Sequence, residues 1–256
     1  MSVTFTTDGP LGFITLDKPP ANSYDLEFMA EFSEAVDEAV VGATRVVIVQ
    51  SASEKFFSAG ADIKKFLEGD VGANMEMIRV SQSAFRRMAA APQVFIAYIA
   101  GHALGGGLEI ALACDIRLAG AGLYKLGLPE VTLGLLPGNG GTQRLTRLIG
   151  PSRALELLVT GRTYTVEEAR EMGLVADVYN ADEGEAKVRE YASRLAGGAG
   201  QAIAAIKRCV HEGGELSLSN GLALEAELME QLFKSKDADE GLHAFVEKRK
   251  PEFAGA

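Results

Sequence analysis

The chain opens with alternating apolar and polar positions and continues with short β-branched runs separated by helical patterns. Val3 and Phe5 precede a Gly9-Pro10 turn and a second apolar run at 13–16, which predicts a hairpin. Apolar residues at helical spacing predict an amphipathic helix over roughly 24–40. Buried strands are predicted at 45–49, 94–99 and 116–119. This alternation of strands and helices indicates an α/β fold with largely parallel strands.

The chain becomes helical after about residue 150. Thr165 and Glu168 fit a capping box, and Gly173 fits the matching helix stop. A glycine-rich linker at 197–200 precedes helical patterns at about 201–211, 217–234 and 238–249, the last opening with a capping box from Asp237 to Glu240. We predict a core at 1–196 and a C-terminal helical oligomerisation module at 197–256, because the roughly 55 residues beyond the linker are too few for a self-sufficient core.

Composition and charge exclude several classes of protein. The 256 residues are 47% hydrophobic and 23% charged, as in ordinary globular proteins, and the net charge of −10 argues against nucleic-acid binding. Two cysteines and three scattered histidines offer no metal-ligand spacing, so we expect no metal and a reducing compartment. No secretory signal is visible, and the uncharged stretch 88–108 is broken by Pro92 and several glycines. We therefore expect a cytoplasmic protein without a membrane span.

Three glycines, Gly105 to Gly107, lie where a buried strand leads into a helix. They let another group approach the backbone, and the first amides of the helix are suited to an anion or a developing oxyanion. A tight strand-to-helix turn is the alternative interpretation. The segment matches neither the dinucleotide fingerprint, the Walker A motif nor the G-x-S-x-G elbow.

Two glutamates stand in apolar surroundings where a charge is costly. Glu109 is followed by four apolar residues, so it is expected to be paired or functional, or else a dipole-favoured residue of a first helical turn. Glu130, taken alone, fits a solvated loop. A third segment offers amides near Ala61, with Asp62 as an alternative helix cap. Together these groups suit a reaction in which a carbonyl is polarised while protons move nearby, with an enolate-type intermediate.

Four motifs in order resemble the enoyl-CoA hydratase/isomerase (crotonase) superfamily. The similarity covers nearly the whole chain and rests on Ser58-Ala59-Gly60-Ala61-Asp62, Ala103-Leu104-Gly105-Gly106-Gly107-Leu108-Glu109, Leu128-Pro129-Glu130 and Pro137-Gly138-Asn139-Gly140-Gly141-Thr142-Gln143-Arg144-Leu145. The resemblance implies a crotonase-type ββα superhelix followed by a C-terminal helical module used in trimer formation. It also implies self-association as a trimer or as a hexamer of two stacked trimers.

The resemblance also implies an acyl-CoA site. The amides of Ala61 and Gly106 would hold the thioester oxygen as an oxyanion hole. The implied substrate contacts are Ala21, Ala59, Asp62, Ile63, Lys64, Gly105, Pro129, Leu133 and Lys248. Lys248 would supply a cation for a CoA phosphate, although a solvated helix end is the alternative interpretation of this basic residue and its two neighbours.

Glutamate occupies both acidic positions that the hydratases use. The resemblance therefore implies reversible syn hydration of a trans-2-enoyl-CoA, a step of fatty-acid β-oxidation, in which Glu109 takes a proton from water and Glu130 delivers one to Cα. CoA is part of the substrate, so no cofactor is expected. The segment Asn22-Ser23-Tyr24-Asp25 departs from the commoner Asn-Ala-Leu-Asn type, which leaves the choice of substrate open.

Other functions remain possible at this point. The nearest is enoyl-CoA double-bond isomerisation or another acyl-CoA reaction on the same scaffold, in which one carboxylate shuttles a proton. A non-catalytic CoA-binding or RNA-binding relative is a second alternative, against which the paired glutamates and the negative charge argue. A nicotinamide dehydrogenase would need the glycine fingerprint that this chain lacks.

Overall fold

A computed structural model describes residues 1–255. Ala256, the last residue of the predicted C-terminal module, lies outside the described residues. The strands are β1 (Val3–Asp8), β2 (Leu11–Leu16), β3 (Val46–Ser51), β4 (Phe56–Ser58), β5 (Val94–Ile99), β6 (His102–Leu104), β7 (Ile116–Gly120), β8 (Leu126–Gly127) and β9 (Asp177–Tyr179). The helices are α1 (Leu26–Val41), α2 (Ile63–Glu68), α3 (Val71–Ala90), α4 (Gly106–Ala113), α5 (Gly141–Ile149), α6 (Pro151–Thr160), α7 (Val166–Glu171), α8 (Gly184–Ala196), α9 (Gly200–His211), α10 (Leu218–Leu232) and α11 (Lys236–Glu247).

The strands form two sheets. The larger sheet has the order β1-β2-β3-β5-β7-β9, in which β1 and β2 form the predicted antiparallel hairpin and the remaining neighbours pair in parallel. The smaller sheet has the order β4-β6-β8 and is parallel. Successive strand pairs, β3 with β4, β5 with β6 and β7 with β8, therefore each add one strand to each sheet. This arrangement confirms the predicted crotonase-type ββα superhelix.

Two apolar clusters cover the faces of the larger sheet. The main cluster includes Phe28 and Phe32 of α1, Phe85 of α3 and most of α4, which is buried along its whole length. The second cluster packs Val188 and Ala192 of α8 on the opposite face. Because both faces are covered, the strands carry the nearly continuous apolar runs from which they were predicted.

Local signals place most element boundaries close to their predicted positions. Helix α1 occupies 26–41 where 24–40 was predicted, and the strands predicted at 45–49, 94–99 and 116–119 are β3, β5 and β7. The capping box of α7 is confirmed, because the Thr165 hydroxyl accepts from the Glu168 amide while the Glu168 carboxylate accepts from the Thr165 amide. Gly173 follows the helix with the left-handed φ of 77° that a helix stop requires.

The capping box predicted at Asp237 is wrong. Ser235 caps α11 instead, since its hydroxyl accepts from the amide of Ala238. Asp237 lies inside the first turn and is buried, and its carboxylate accepts from the amides of Ala254 and Gly255. Asp237 therefore holds the C-terminal tail against α11.

A buried polar link attaches the C-terminal helices to the core. The Lys207 ammonium of α9 donates to the carbonyls of Met88 and Gln93 at 2.6 Å each and lies 2.9 Å from the Asp115 carboxylate. The other oxygen of Asp115 is 2.8 Å from Nε2 of His211. Helix α8 ends at Ala196 and α9 begins at Gly200, as the predicted linker requires. The division into a core and an oligomerisation module stays a prediction.

Within residues 1–255, no helix is both long and apolar enough to cross a membrane. The stretch 88–108, which looked uncharged in the sequence, is divided among the end of α3, the strands β5 and β6, and the start of α4. The expected cytoplasmic location stays a prediction.

Candidate active site

The turn from β6 into α4 brings several backbone segments into close contact. Gly105 has a φ of +53°, which glycine adopts without strain, and its amide donates to the Gly127 carbonyl at 2.9 Å. A Cβ atom at Gly107 would overlap the carbonyl of Ser58. The three glycines predicted to allow close approach therefore do so: the strand β4 segment packs directly against the start of α4.

Two backbone amides are free beside this turn. Gly60, with a φ of +88°, packs against the Leu104 carbonyl, and a Cβ atom on it would lie 3.2 Å from the Gly106 nitrogen. Ala61 follows Gly60 directly, so its amide and that of Gly106 are close together. Gly106 is the first residue of α4, whose opening amides have no partner inside the helix. Among the hydrogen bonds of residues 1–255, none uses the amide of Ala61 or Gly106.

Glu109 lies in the first turn of α4 and is only 1% exposed. One carboxylate oxygen, Oε1, accepts from the amides of Asn139 and Gly141 at 2.7 Å each. Burial raises the pKa of Glu109 to about 7, and the two amides oppose this shift. Glu109 is therefore a buried carboxyl that titrates near neutral pH, as suits a group that exchanges protons with a substrate.

Glu130 opens a short 3₁₀ helix, Glu130–Leu133, directly after Pro129. Its Oε1 would lie 3.0 Å from a Cβ atom at Gly105, so the carboxyl faces the same turn as Glu109. Its other oxygen, Oε2, is buried and has no hydrogen-bond partner within residues 1–255. Burial raises the pKa of Glu130 to about 6. The solvated loop that Glu130 alone suggested is therefore not its environment.

The charge of Glu130 acts on Glu109. After burial itself, the negative charge of Glu130 is among the causes that raise the pKa of Glu109, while the charge of Arg144 lowers it. Arg144 is half-buried behind the site and donates to the Asn139 carbonyl at 2.8 Å. Two carboxyls with raised pKa values thus lie beside two free amide donors.

Two polar side chains of this site were not identified from the sequence. Tyr24 is buried, and its hydroxyl accepts a hydrogen bond from the Asn139 side-chain nitrogen at 2.8 Å. The loop that holds Tyr24 lies against the Ala61 segment, because the Tyr24 amide donates to the Gly60 carbonyl and the Asp62 amide donates to the Tyr24 carbonyl. Both residues stood in segments singled out in the sequence, but no local pattern indicated that they meet.

Comparison with known proteins assigns this arrangement to a family. The family model described as enoyl-CoA hydratase/isomerase matches residues 6–256. The chain belongs to the enoyl-CoA hydratase/isomerase family. A probable enoyl-CoA hydratase of Bacillus subtilis (strain 168) is 39% identical over 258 residues, covering 99% of both chains. The 2,3-dehydroadipyl-CoA hydratase of Escherichia coli (strain K12) is 35% identical over 243 residues, covering 94% of both.

A crystal structure of an enoyl-CoA hydratase from Bacillus anthracis has the same fold. It superposes with a TM-score of 0.95 at 37% identity and covers all of both chains. The similarity therefore extends through the C-terminal helices as well as the core.

The remaining residues implied by the family resemblance fall into three groups. Ala21 and Ala59 meet directly, since the Ala59 amide donates to the Ala21 carbonyl at 2.9 Å. Asp62 caps α2 through its side chain, as its alternative interpretation stated, and Ile63 and Lys64 are exposed on that helix. Gly105 faces the Glu130 carboxyl, Pro129 directly precedes Glu130, and the exposed Leu133 ends the same 3₁₀ helix.

Lys248 is apart from these groups. It ends α11 with a left-handed backbone and is exposed. No hydrogen bond or ion pair within residues 1–255 joins it to the glutamates. Its role in binding CoA stays a prediction. In the same part of the chain, no cluster of three His, Cys, Asp or Glu side chains is arranged to hold a metal ion.

The raised pKa of Glu109 makes a prediction about stability. The carboxyl has a pKa of about 7 in the folded protein against an ordinary 4.5, so the folded state favours its protonated form. Between about pH 4.5 and about pH 7 the carboxyl loses its proton in the unfolded chain but keeps it in the folded protein. Raising the pH over this range therefore penalises wild-type folding by up to about 3 kcal/mol. Glu109→Gln has no charge to bury. Thermal unfolding should therefore show the variant gaining stability over wild type between pH 5.5 and pH 8.

Glu171→Gln, at the exposed end of α7, is the matched control. The difference in melting temperature between this variant and wild type should not change with pH. A Glu109→Gln melting temperature that runs parallel to that of wild type over this pH range would contradict the buried, proton-binding carboxyl.

Proposed function

We propose that the protein is an enoyl-CoA hydratase, a hydro-lyase that adds water reversibly and syn to a trans-2-enoyl-CoA to give a 3-hydroxyacyl-CoA. One observation carries this proposal: the buried carboxyl of Glu109 and the half-buried carboxyl of Glu130, on separate elements, face one turn beside the free amides of Ala61 and Gly106. Relatives named as enoyl-CoA hydratases over nearly the full length support the same reaction.

In the proposed reaction, the amides of Ala61 and Gly106 donate to the thioester oxygen. Glu109 takes one proton from water as the water oxygen bonds to Cβ. The π electrons of the Cα–Cβ bond move towards the thioester, where the amides stabilise the enolate-like charge. Glu130 then gives its proton to Cα, so the product gains one hydroxyl and one hydrogen. CoA enters and leaves as part of the substrate, and no cofactor takes part.

The two pKa values set a condition on this mechanism. Burial raises the pKa of Glu109 to about 7 and the pKa of Glu130 to about 6. The pair therefore holds one proton between those pH values. The proposed roles need that proton on Glu130 when water attacks.

Double-bond isomerisation is the second candidate, because it uses the same amides and only one carboxyl. The presence of both glutamates favours hydration, since an isomerase has no need of a second group to activate water. The substrate-binding roles of Ala21, Ala59, Asp62, Ile63, Lys64, Gly105, Pro129, Leu133 and Lys248 belong to this proposal. The acyl chain and the pathway, including β-oxidation, are not specified by these residues.

The first test is loss of the conjugated enoyl-thioester absorbance of crotonyl-CoA. Wild type should hydrate it, while Glu109→Gln and Glu130→Gln should each lower kcat by about 10²–10⁴-fold, the usual contribution of a general acid or base. Glu171→Gln is the matched control and should retain wild-type activity.

Near-normal turnover by both glutamine variants would exclude these roles. If wild type leaves short and long trans-2-enoyl thioesters unchanged but converts a 3-enoyl-CoA, isomerisation is the activity instead.

The coupled carboxyls also predict the pH dependence. The reaction needs one proton shared by the pair, so kcat/KM should be bell-shaped with limbs near pH 6 and pH 7. Below the lower limb both carboxyls are protonated, so Glu109 cannot accept a proton from water. Above the upper limb both are ionised, so neither can protonate Cα. Measuring kcat/KM for crotonyl-CoA from pH 5 to pH 9 tests this, and a rate that keeps rising through pH 9 would contradict it.

We also propose that the protein associates with itself as a trimer, or as a hexamer of two trimers. The C-terminal helices expose large apolar side chains to solvent, among them Leu218, Leu222, Met229, Phe233, Leu242, Phe245 and Val246. Exposed apolar residues in such number are typical of an association surface.

Light scattering after gel filtration should give three or six times the 27.1 kDa chain mass. Phe245→Asp places a charge on a side chain that is 83% exposed and should reduce the mass towards that of one chain. Val41→Asp, on the 88% exposed end of α1, is the control and should leave the mass unchanged. A wild-type mass of one chain would refute the association.

A further inference from the structure

Tyr24 is a buried polar residue to which the proposed mechanism gives no role. Its side chain is 3% exposed and packs beside the Phe28 ring, but its hydroxyl faces the glutamates. The hydroxyl accepts from the Asn139 side-chain nitrogen at 2.8 Å, and the Asn139 backbone amide donates to Glu109 at 2.7 Å. Asn139 therefore fixes the Tyr24 hydroxyl and the Glu109 carboxylate relative to each other.

The hydroxyl lies directly over the start of α4. A Cβ atom at Gly106 would overlap it, so the phenol oxygen occupies the space that any other residue at 106 would fill. Burial, followed by the charges of Glu109 and Glu130, raises the pKa of Tyr24 well above its ordinary value. The phenol consequently keeps its proton at neutral pH and is a hydrogen-bond donor at the start of α4.

The proton of this hydroxyl has no acceptor among residues 1–255, since the one hydrogen bond of the phenol oxygen is the one that it accepts from Asn139. Two acceptors nearby are also buried without partners in the described chain: Oδ1 of Asn139 and Oε2 of Glu130. Buried polar atoms are normally paired. The unpaired phenol proton is therefore available to a molecule bound beside the two glutamates.

We propose that the Tyr24 hydroxyl donates a hydrogen bond to the oxygen of the water that adds to Cβ, which makes Tyr24 a third catalytic residue. This inference rests on the proposed hydration. As Glu109 removes a proton, negative charge grows on the water oxygen, and a fixed neutral donor stabilises it. In the reverse direction the same hydrogen bond assists departure of the hydroxyl from Cβ. The phenol proton stays on Tyr24 throughout, so the proton balance between Glu109 and Glu130 is unchanged.

The chemistry of the residue distinguishes this role from filling space. A leucine, which stands here in the commoner Asn-Ala-Leu-Asn type of segment, would occupy much of the volume of the ring and donate nothing. The hydrogen bond from Asn139 holds the phenol oxygen, so that its proton points away from Asn139. Space filling alone gives no reason for a donor held in this way beside two carboxyls.

Two rates measured on one sample of Tyr24→Phe test the proposal. The first is hydration of crotonyl-CoA. The second is exchange of the Cα protons of butyryl-CoA with D2O, which needs Glu130 and the amides but no attack of water at Cβ. We expect kcat for hydration to fall about 10- to 100-fold, as the loss of one hydrogen bond in a transition state does. Exchange should stay within about twofold of wild type, because the amides and Glu130 are untouched.

The ratio of the two rates does not depend on the fraction of folded protein, so partial instability of the variant leaves the test valid. Tyr191→Phe removes a hydroxyl on α8, on the other face of the larger sheet, and should change neither rate. A parallel fall in both rates would overturn the proposal, since it would place the hydroxyl at the thioester oxygen or in the packing. Unchanged hydration, or a change in KM alone, would overturn it too.

Failure of this inference is separable from failure of the proposed function. Wild-type protein that does not hydrate any trans-2-enoyl thioester refutes the hydratase assignment itself. Wild-type protein that hydrates crotonyl-CoA, together with an equally active Tyr24→Phe variant, refutes only the role of Tyr24.

Discussion

The site depends on one buried charge and the two amides that hold it. Glu109 is enclosed by apolar residues of its own helix, and such a carboxylate is costly to bury without hydrogen bonds. The amides of Asn139 and Gly141 supply them at 2.7 Å each, which fastens the loop before α5 onto the first turn of α4. Once that loop is fixed, the Asn139 side chain reaches Tyr24 and the Arg144 charge lies behind the carboxyl. The two hydrogen bonds that stabilise the Glu109 carboxylate therefore also position Asn139 and Arg144 beside it.

Close approach of backbone to backbone is the second requirement. Gly60 and Gly105 adopt left-handed conformations, and Gly107 leaves no room for a side chain against Ser58. These contacts leave the amides of Ala61 and Gly106 as neighbours on different segments. Binding of a substrate oxygen to both amides would therefore depend on how β4 packs against the start of α4. A small shift in that packing would separate the two donors.

The sequence predicted what local patterns control and missed what distant contacts decide. Apolar runs located β3, β5 and β7, and a capping box located the start of α7, because these signals lie within a few residues. At α11 the same reasoning chose Asp237, although the cap is Ser235. The true partners of Asp237 are the amides of the C-terminal tail, 17 and 18 residues further along. The glutamates were found by their motifs, but the contact of Asn139 with Tyr24 spans 115 residues and has no local sequence signal.

Helix α4 is held at both of its ends. Its first turn is held by the glycine contacts and by the amides on Glu109, and just beyond its last turn Asp115 meets Lys207 and His211 of α9. With eight residues, the helix is a rod of about 12 Å, too short to absorb movement along its length. A chain cut before α9 would contain Glu109, Glu130, Tyr24 and both free amides, yet it would leave Asp115 without its cation. Glu109 and the C-terminal helices are therefore linked through one short helix.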